Sequence, residues 1–133
     1  MTRIERLRPP GLVHSPAFSH VAVVPPGATT IYVGGQDAVD ADGRLVGEGD
    51  AAAQAVRAVE NVRTALAAAG ATFADVVQWT VLLADGVDVN AVYGAIGPLI
   101  ASDDPGLVVA AHVAGLAVPG GLIEVSAVAA VVR

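Results

Sequence analysis

The last quarter of the chain, residues 104–133, constrains the fold most strongly. It contains two apolar runs separated by Pro119-Gly120-Gly121, and between Leu107 and Val132 its only acidic or basic side chain apart from a histidine is Glu124. Each run is too short to span a bilayer as a helix. Valine-rich runs bounded by turn residues are typical of buried strands. The segment therefore predicts a core β-hairpin that carries a single carboxylate.

Upstream of this hairpin, strand signals precede and separate two helix signals. Strands are predicted at residues 2–7, 21–24, 29–33 and 76–84 from their β-branched and apolar content. The continuous apolarity of 76–84 favours a strand covered on both faces. Gly34-Gly35 predicts a backbone turn or a close approach by another group, and residues 40–43 predict a tight turn before 44–46.

The two helices are predicted at residues 51–69 and 89–100. Asp50 and Asp88 lie where a side-chain oxygen can accept hydrogen bonds from first-turn amides. Gly70 suits the left-handed backbone conformation that often ends a helix. The first helix has a predicted core stripe, with Gln54 off it; the stripe comprises Ala52, Val56, Val59, either Val62 or Arg63, and Leu66. Together the elements predict one domain over 1–133, an α+β sandwich with two helices on one face of a mixed sheet.

Composition excludes several classes of function. The net charge is −6 and lysine is absent, so nucleic acid, which needs a basic surface, is not expected as a partner. Cysteine is also absent, which removes thiolate chemistry and fits a cytoplasmic protein. His14 and His20 lack nearby ligands at metal spacing, so no metal is expected, and no segment predicts a membrane span. The apolar fraction of 54% predicts surface buried between subunits.

Five motifs in order give a specific resemblance. They are IYVGGQ at 31–36, AVENVRTALAAAGAT at 58–72, DVVQWTVLLAD at 75–85, Asn90-x-x-Tyr93, and LIEVSAVA at 122–129. This set resembles the Rid family, also called YjgF or L-PSP endoribonuclease-like. The resemblance implies a chorismate-mutase-like fold and a homotrimer whose sheets form a central barrel with clefts between subunits. It also implies cofactor-free hydrolysis of reactive enamines and imines.

The resemblance places four candidate site residues. Glu124 matches the family glutamate that positions or activates water, and Asn90 matches an asparagine at the start of the second helix. Phe18 falls where a tyrosine is common, and Gly34 replaces the usual serine. A lone carboxylate in an apolar strand is either a site residue, because burial without a partner is costly and raises a carboxyl pKa, or an edge residue that only reaches solvent. The resemblance favours the first interpretation.

The resemblance fails at the arginine that normally grips the substrate carboxylate. Counting from Pro105 puts Leu107 in its place, and counting back from Glu124 puts Val108 there. In the second alignment Ala110 and His112 share the face of Val108 and could line the cleft, whereas in the first His112 points away. In either alignment the arginine that would bind the substrate carboxylate is missing, so a small 2-imino acid should be a poor substrate.

Three functions follow from these residues. The first is a Rid-like hydrolase with an altered, less anionic substrate range. The second is a small-molecule-binding protein without catalysis on the same cleft. The third, a ribonuclease, is disfavoured by the acidic charge.

Overall fold

The computed structural model describes residues 3–133. Its elements are β1 (Glu5–Leu7), β2 (Val21–Val23), β3 (Thr29–Gln36), α1 (Ala51–Ala68), β4 (Val76–Ala84), α2 (Val89–Ile100), β5 (Leu107–Val113) and β6 (Ile123–Val131), with a short 3-10 helix at Phe73–Asp75 before β4. The predicted α+β class and both predicted helices are confirmed. The predicted first strand is shorter than expected, and Thr2 lies outside the described residues.

The strands form one main sheet and one small one. β1 and β2 pair with each other, while the main sheet has the order β3-β6-β4-β5. β5 runs parallel to β4, and β6 runs antiparallel to both β3 and β4. The predicted hairpin of the last two strands is therefore wrong. Because α2 returns the chain in the direction of β4, β5 joins that strand from outside, and β6 then crosses to the centre of the sheet.

The caps that the sequence predicts are present. Asp50 accepts a hydrogen bond from the Ala53 amide at 3.0 Å, and Asp88 accepts one from the Asn90 amide at 2.9 Å. Gly70 has φ +74° just beyond α1, a conformation that glycine adopts without strain. The starts of both helices and the end of α1 are thus fixed by local chemistry.

The buried stripe of α1 differs from its prediction. Val56 is 36% exposed. The side chains that are buried instead are Gln54, Ala55, Ala58, Val59, Val62 and Leu66. Small alanines let the helix backbone approach the sheet, which rotates the buried stripe toward them.

Gln54 is fully buried because its amide joins two loops. Its Nε2 donates to the carbonyl oxygens of Gly47 and Gly120 at 3.1 and 3.2 Å, and its Oε1 accepts from the Leu122 amide at 2.8 Å. A buried amide is stable only when its polar atoms are paired in this way. The glutamine fixes the loop that leads into β6, and so helps to position Glu124.

The main sheet has one covered and one open face. Val81 and Leu83 of β4 and Val125 of β6 point to the helices and are almost fully buried. Residues between them, such as Leu82 and Glu124, are only half-buried on the other face. Within one chain the helices therefore cover only one face of β4. β5 is the sheet edge and mostly exposed, which contradicts its predicted place in the core of the chain.

Candidate functional site

Glu124 lies on the open face of the central strand β6. It is opposite Leu82 of β4, and its side chain extends over the bulge that interrupts the pairing of β3 between Val33 and Gln36. A Cβ atom added to Gly35 would lie 2.6 Å from Glu124 Cδ and 2.7 Å from Oε2. The close approach that the sequence predicts therefore requires Gly35 but not Gly34: the Glu124 carboxylate occupies the space of the Gly35 side chain.

Asp37, directly after β3, is the second carboxyl group of this site. Its residue is only 5% exposed, and its Oδ2 has no hydrogen-bond donor among the described residues. Burial, together with a hydrogen bond to Glu124 and the charge of Glu124, raises the pKa of Asp37 from 3.8 to about 6. Two carboxyl groups that repel each other in a partly dry site are typical of acid-base chemistry.

Sequence reasoning missed Asp37. The signal was present, since an aspartate directly follows the Gly34-Gly35-Gln36 segment that was singled out for close approach. Nothing in a single sequence shows that this turn faces the start of a strand far along the chain, because that pairing is set by the sheet order.

The sheet register places Leu107 and Val108, the two candidate positions for the expected arginine, on opposite faces. In the register of the sheet, Leu107 pairs with Gln78 and Glu124 pairs with Leu82, so the side chains of Leu107 and Glu124 point to the same face. Val108 pairs with Trp79, whose side chain is buried under the helices. Leu107 is thus the residue of this strand segment on the same face as Glu124.

A cavity of about 970 Å³ lies on the helix side, at the β5 edge. Three predicted site residues, Phe18, Val108 and Ala110, line it together with Tyr93 of α2. The Tyr93 hydroxyl is buried without a hydrogen-bond partner in the described chain, and burial raises the pKa of this phenol. The sheet separates these residues from Glu124, so the predicted site residues fall on two surfaces.

The other three predicted residues join neither group closely. Asn90 is exposed on the first turn of α2, where its backbone amide donates a hydrogen bond to the Asp88 side chain. Gly34 is exposed in the bulge, with nothing within 4 Å of an added Cβ. His112 is on the helix side of β5 and its Nε2 lies 2.8 Å from the Val87 carbonyl oxygen. This contact satisfies the ring and ties the sheet edge to the loop before α2.

No arginine of residues 3–133 forms a hydrogen bond or ion pair with Asp37 or Glu124. Arg6 pairs with Asp104, Arg44 with Asp42 and Arg63 with Glu60. Arg57 donates to Asn61, and Arg133 donates to the Ala69 carbonyl. In the same range no helix is both long and apolar enough to cross a bilayer, and no group of three or more histidine, aspartate or glutamate residues is placed to hold a metal ion.

The α+β fold of this chain is shared with proteins of known structure. The family described as Endoribonuclease L-PSP matches residues 13–131. The human 2-iminobutanoate/2-iminopropanoate deaminase is 40% identical over 101 residues, which cover 75% of this chain and 72% of that protein. The chain therefore belongs to the Endoribonuclease L-PSP family, also known as the Rid or YjgF family.

Solved structures agree with this assignment. The Rid-family protein YyfB of Yersinia pestis is 33% identical with a TM-score of 0.86, and the match covers 97% of this chain and 98% of that one. The YjgF protein of E. coli is 29% identical with a TM-score of 0.68, over 83% of this chain and 85% of that one. The predicted family and its α+β fold are confirmed.

Proposed function

We propose that this protein is a cofactor-free hydrolase of small imines or enamines, with Glu124 as the base that activates water. The observation that carries the proposal is the position of Glu124, half-buried on the open sheet face with its carboxylate held between Gly35 and Asp37. A carboxylate so held can accept a proton from a water molecule while one side stays open to a ligand. The similarity to the human imine deaminase supports the same chemistry.

The substrate is an imine without a carboxylate, either neutral or cationic. Asp37 and Glu124 bring two carboxyl groups to the site, and the nearby position on β5 holds the aliphatic Leu107. A substrate carboxylate would meet repulsion and find no guanidinium to bind it. An uncharged imine, or a protonated one, would escape that cost. This charge balance distinguishes the proposed substrates from 2-iminobutanoate and 2-iminopropanoate.

The hydrolysis needs no redox partner. The water oxygen bonds to the imine carbon while Glu124 takes a proton from the water, and the π pair of the C=N bond moves to nitrogen. Glu124 gives this proton to the nitrogen, the new hydroxyl gives its proton to Glu124 as the C–N bond breaks, and Glu124 passes that second proton to the departing nitrogen. The products are ammonia and a carbonyl compound, and Glu124 is restored.

The active form is proposed to be a homotrimer in the cytoplasm. The open face exposes apolar side chains that a partner subunit would cover, including Tyr32, which is 80% exposed, and Val109. Exposed apolar surface of this kind favours association. Light scattering should give a trimer, and a monomer at assay concentration would contradict this part of the proposal.

The test of catalysis compares Glu124→Gln with Ser126→Ala, two residues further along the same face. Carbonyl formation above the uncatalysed rate is measured for an imine without a carboxylate and for 2-iminopropanoate. We expect Glu124→Gln to lose at least about 100-fold in turnover, as removal of a general base does, while Ser126→Ala stays within a few-fold of the unsubstituted protein. Equal turnover by Glu124→Gln, or a preference for 2-iminopropanoate, would contradict the proposal.

The second candidate function is small-molecule binding without catalysis, and the cavity at the β5 edge favours it. Its lining is largely apolar, with Phe18 and Ile100 on one side and Val108 on the other. An apolar cavity of about 970 Å³ suits a neutral ligand. Val108→Trp should fill the cavity and abolish binding of an apolar fluorescent probe, while Glu124→Gln should leave that binding unchanged. The opposite pattern would place ligand binding on the open face.

A further inference from the structure

Asp37 and Glu124 are brought together by two glycines. Gly35 leaves room for the Glu124 carboxylate, and an added Cβ on Gly121 would lie 3.0 Å from Asp37 Oδ2. Neither glycine needs positive φ, since both have ordinary backbone angles. Their role is to leave space, and each space is filled by one carboxyl group.

The backbone of Asp37 is held independently of its side chain. Its carbonyl oxygen accepts from the Asn61 side-chain amide at 3.0 Å and from the Val39 amide at 2.9 Å. Because these bonds hold the main chain, the direction of the Asp37 side chain is fixed by the fold. A change limited to the carboxyl group should therefore leave the turn in place.

Within residues 3–133, Glu124 is the only ionisable group that acts on the Asp37 carboxyl group. On the α1 side, the Arg57 guanidinium donates to Asn61 Oδ1 at 3.1 Å instead of to the aspartate. In the next turn, Asp40 accepts from the amides of Asp42 and Arg44. On β6 the facing group is Glu124. In the described residues no cation neutralises the two carboxyl groups.

Two carboxylates in contact are stable only if a proton lies between them. When both are ionised, both can only accept, so Asp37 Oδ2 stays buried without a donor. Such an atom costs free energy that one proton removes, because a protonated carboxyl group donates to its neighbour. The orphaned oxygen is therefore itself an indication that a proton belongs at this position.

We propose that Asp37 is a positioning residue that shares one proton with Glu124 and thereby holds the Glu124 carboxylate toward the open face. Its consequence for catalysis rests on the proposed function: the shared proton keeps Glu124 oriented for water and is available to the departing nitrogen. Atoms balance, because the proton that leaves for nitrogen is replaced by the one taken from water. The raised pKa of Asp37, about 6, agrees with this geometry.

The proton can be observed without any substrate. Carbon-13 NMR of labelled aspartate and glutamate carboxyl groups is followed against pH in the unsubstituted protein, Glu124→Gln and, as a matched surface control, Asp42→Asn. We expect the Asp37 signal to titrate near pH 6. In Glu124→Gln the Asp37 step should move toward lower pH but stay above its ordinary value, since burial remains. In Asp42→Asn it should not move.

Titration of Asp37 at its ordinary pH, or a raised step that Glu124→Gln leaves unchanged, would overturn the proton sharing. Where turnover is found, Asp37→Asn should remove the step near pH 6 from the profile of kcat/KM. If Asp37 were purely structural, Asp37→Asn would lower the stability of the protein and the step near pH 6 would remain. Absence of turnover with the NMR step present would refute the proposed function and keep the shared proton, so the two failures are distinguishable.

Discussion

The two faces of the main sheet differ in burial and in residue type, although residues of the two faces alternate along the same strands. On the covered face, Leu83 and Val125 are almost fully buried under the helices. On the open face, their immediate neighbours Leu82 and Glu124 are half-buried and one of them is a carboxylate. The comparison indicates that the covered face stabilises the chain, whereas the open face carries its chemistry and its contacts with other molecules.

The largest effect on the free energy of unfolding is expected for Leu83→Ala, and Leu82→Ala is its matched comparison. Leu83 is 1% exposed, so its truncation leaves a cavity and should lower the free energy of unfolding by about 2–5 kcal/mol. Leu82 lies on the open face, where truncation removes less buried surface and should cost about 1 kcal/mol in the isolated chain. Denaturant unfolding measures both values.

The same variants also test assembly. Leu82→Ala should weaken the proposed trimer, seen as a lower mass by light scattering at low protein concentration, while Leu83→Ala should change stability first. Equal losses of unfolding free energy at a concentration where both are monomers would show that the two faces are not distinct.

The next largest effect compares a polar residue on each side of the sheet. Gln54→Ala removes three hydrogen bonds between α1 and two loops and should cost about 2–4 kcal/mol. Glu124→Gln keeps the shape and removes a charge beside Asp37, so the melting temperature should stay the same or rise slightly. Thermal melts decide this, and a larger loss in Glu124→Gln than in Gln54→Ala would make Glu124 a structural residue.

Most of the covered face could be predicted from sequence, and most of the open face could not. The helix caps at Asp50 and Asp88 and the core positions Val92 and Ile96 depend on neighbours within a turn or two, which periodicity reports. The failure of the terminal hairpin is different in kind. A hairpin and a β-α-β connection bury the same valine-rich strands, so only the sheet order decides between them.

The arrangement of the site could be predicted only in part, because it also depends on the order of the strands in the sheet. That Glu124, Ser126 and Val128 share one face of β6 follows from the sequence alone, because side-chain direction in a strand has period two. This alternation could not show that Asp37 meets Glu124, or that Val108 lies across the sheet from it, since both depend on long-range pairing. A buried Gln54 was also unexpected, because its partners are loop atoms far along the chain.

A smaller effect is expected from pH. The native pKa of Asp37 is raised to about 6 from an ordinary 3.8, so in that window the native state binds more protons than the unfolded state. The contribution of Asp37 to unfolding free energy is therefore fully present below the window and is lost as pH rises through 6, by about 1–3 kcal/mol.

Asp37→Asn isolates this contribution from the other carboxylates. The difference in unfolding free energy between the variant and the unsubstituted protein should grow in favour of the variant as pH rises from about 4 to about 7. Asp42→Asn is the exposed control and should give a constant difference. A constant difference for Asp37→Asn as well would show that Asp37 is an ordinary carboxylate.

The smallest expected effect concerns the cavity on the helix side. The Tyr93 hydroxyl is buried and, in residues 3–133, has no hydrogen-bond partner, so it lowers stability without a compensating bond. Tyr93→Phe removes it while the ring still lines the cavity, and the free energy of unfolding should rise by up to about 1 kcal/mol or stay level. Denaturant titration of the two proteins, with Tyr32→Phe as the exposed control, measures the change. A loss above about 1 kcal/mol would mean that the hydroxyl is paired in solution, and the covered face would then hold a polar interaction of its own.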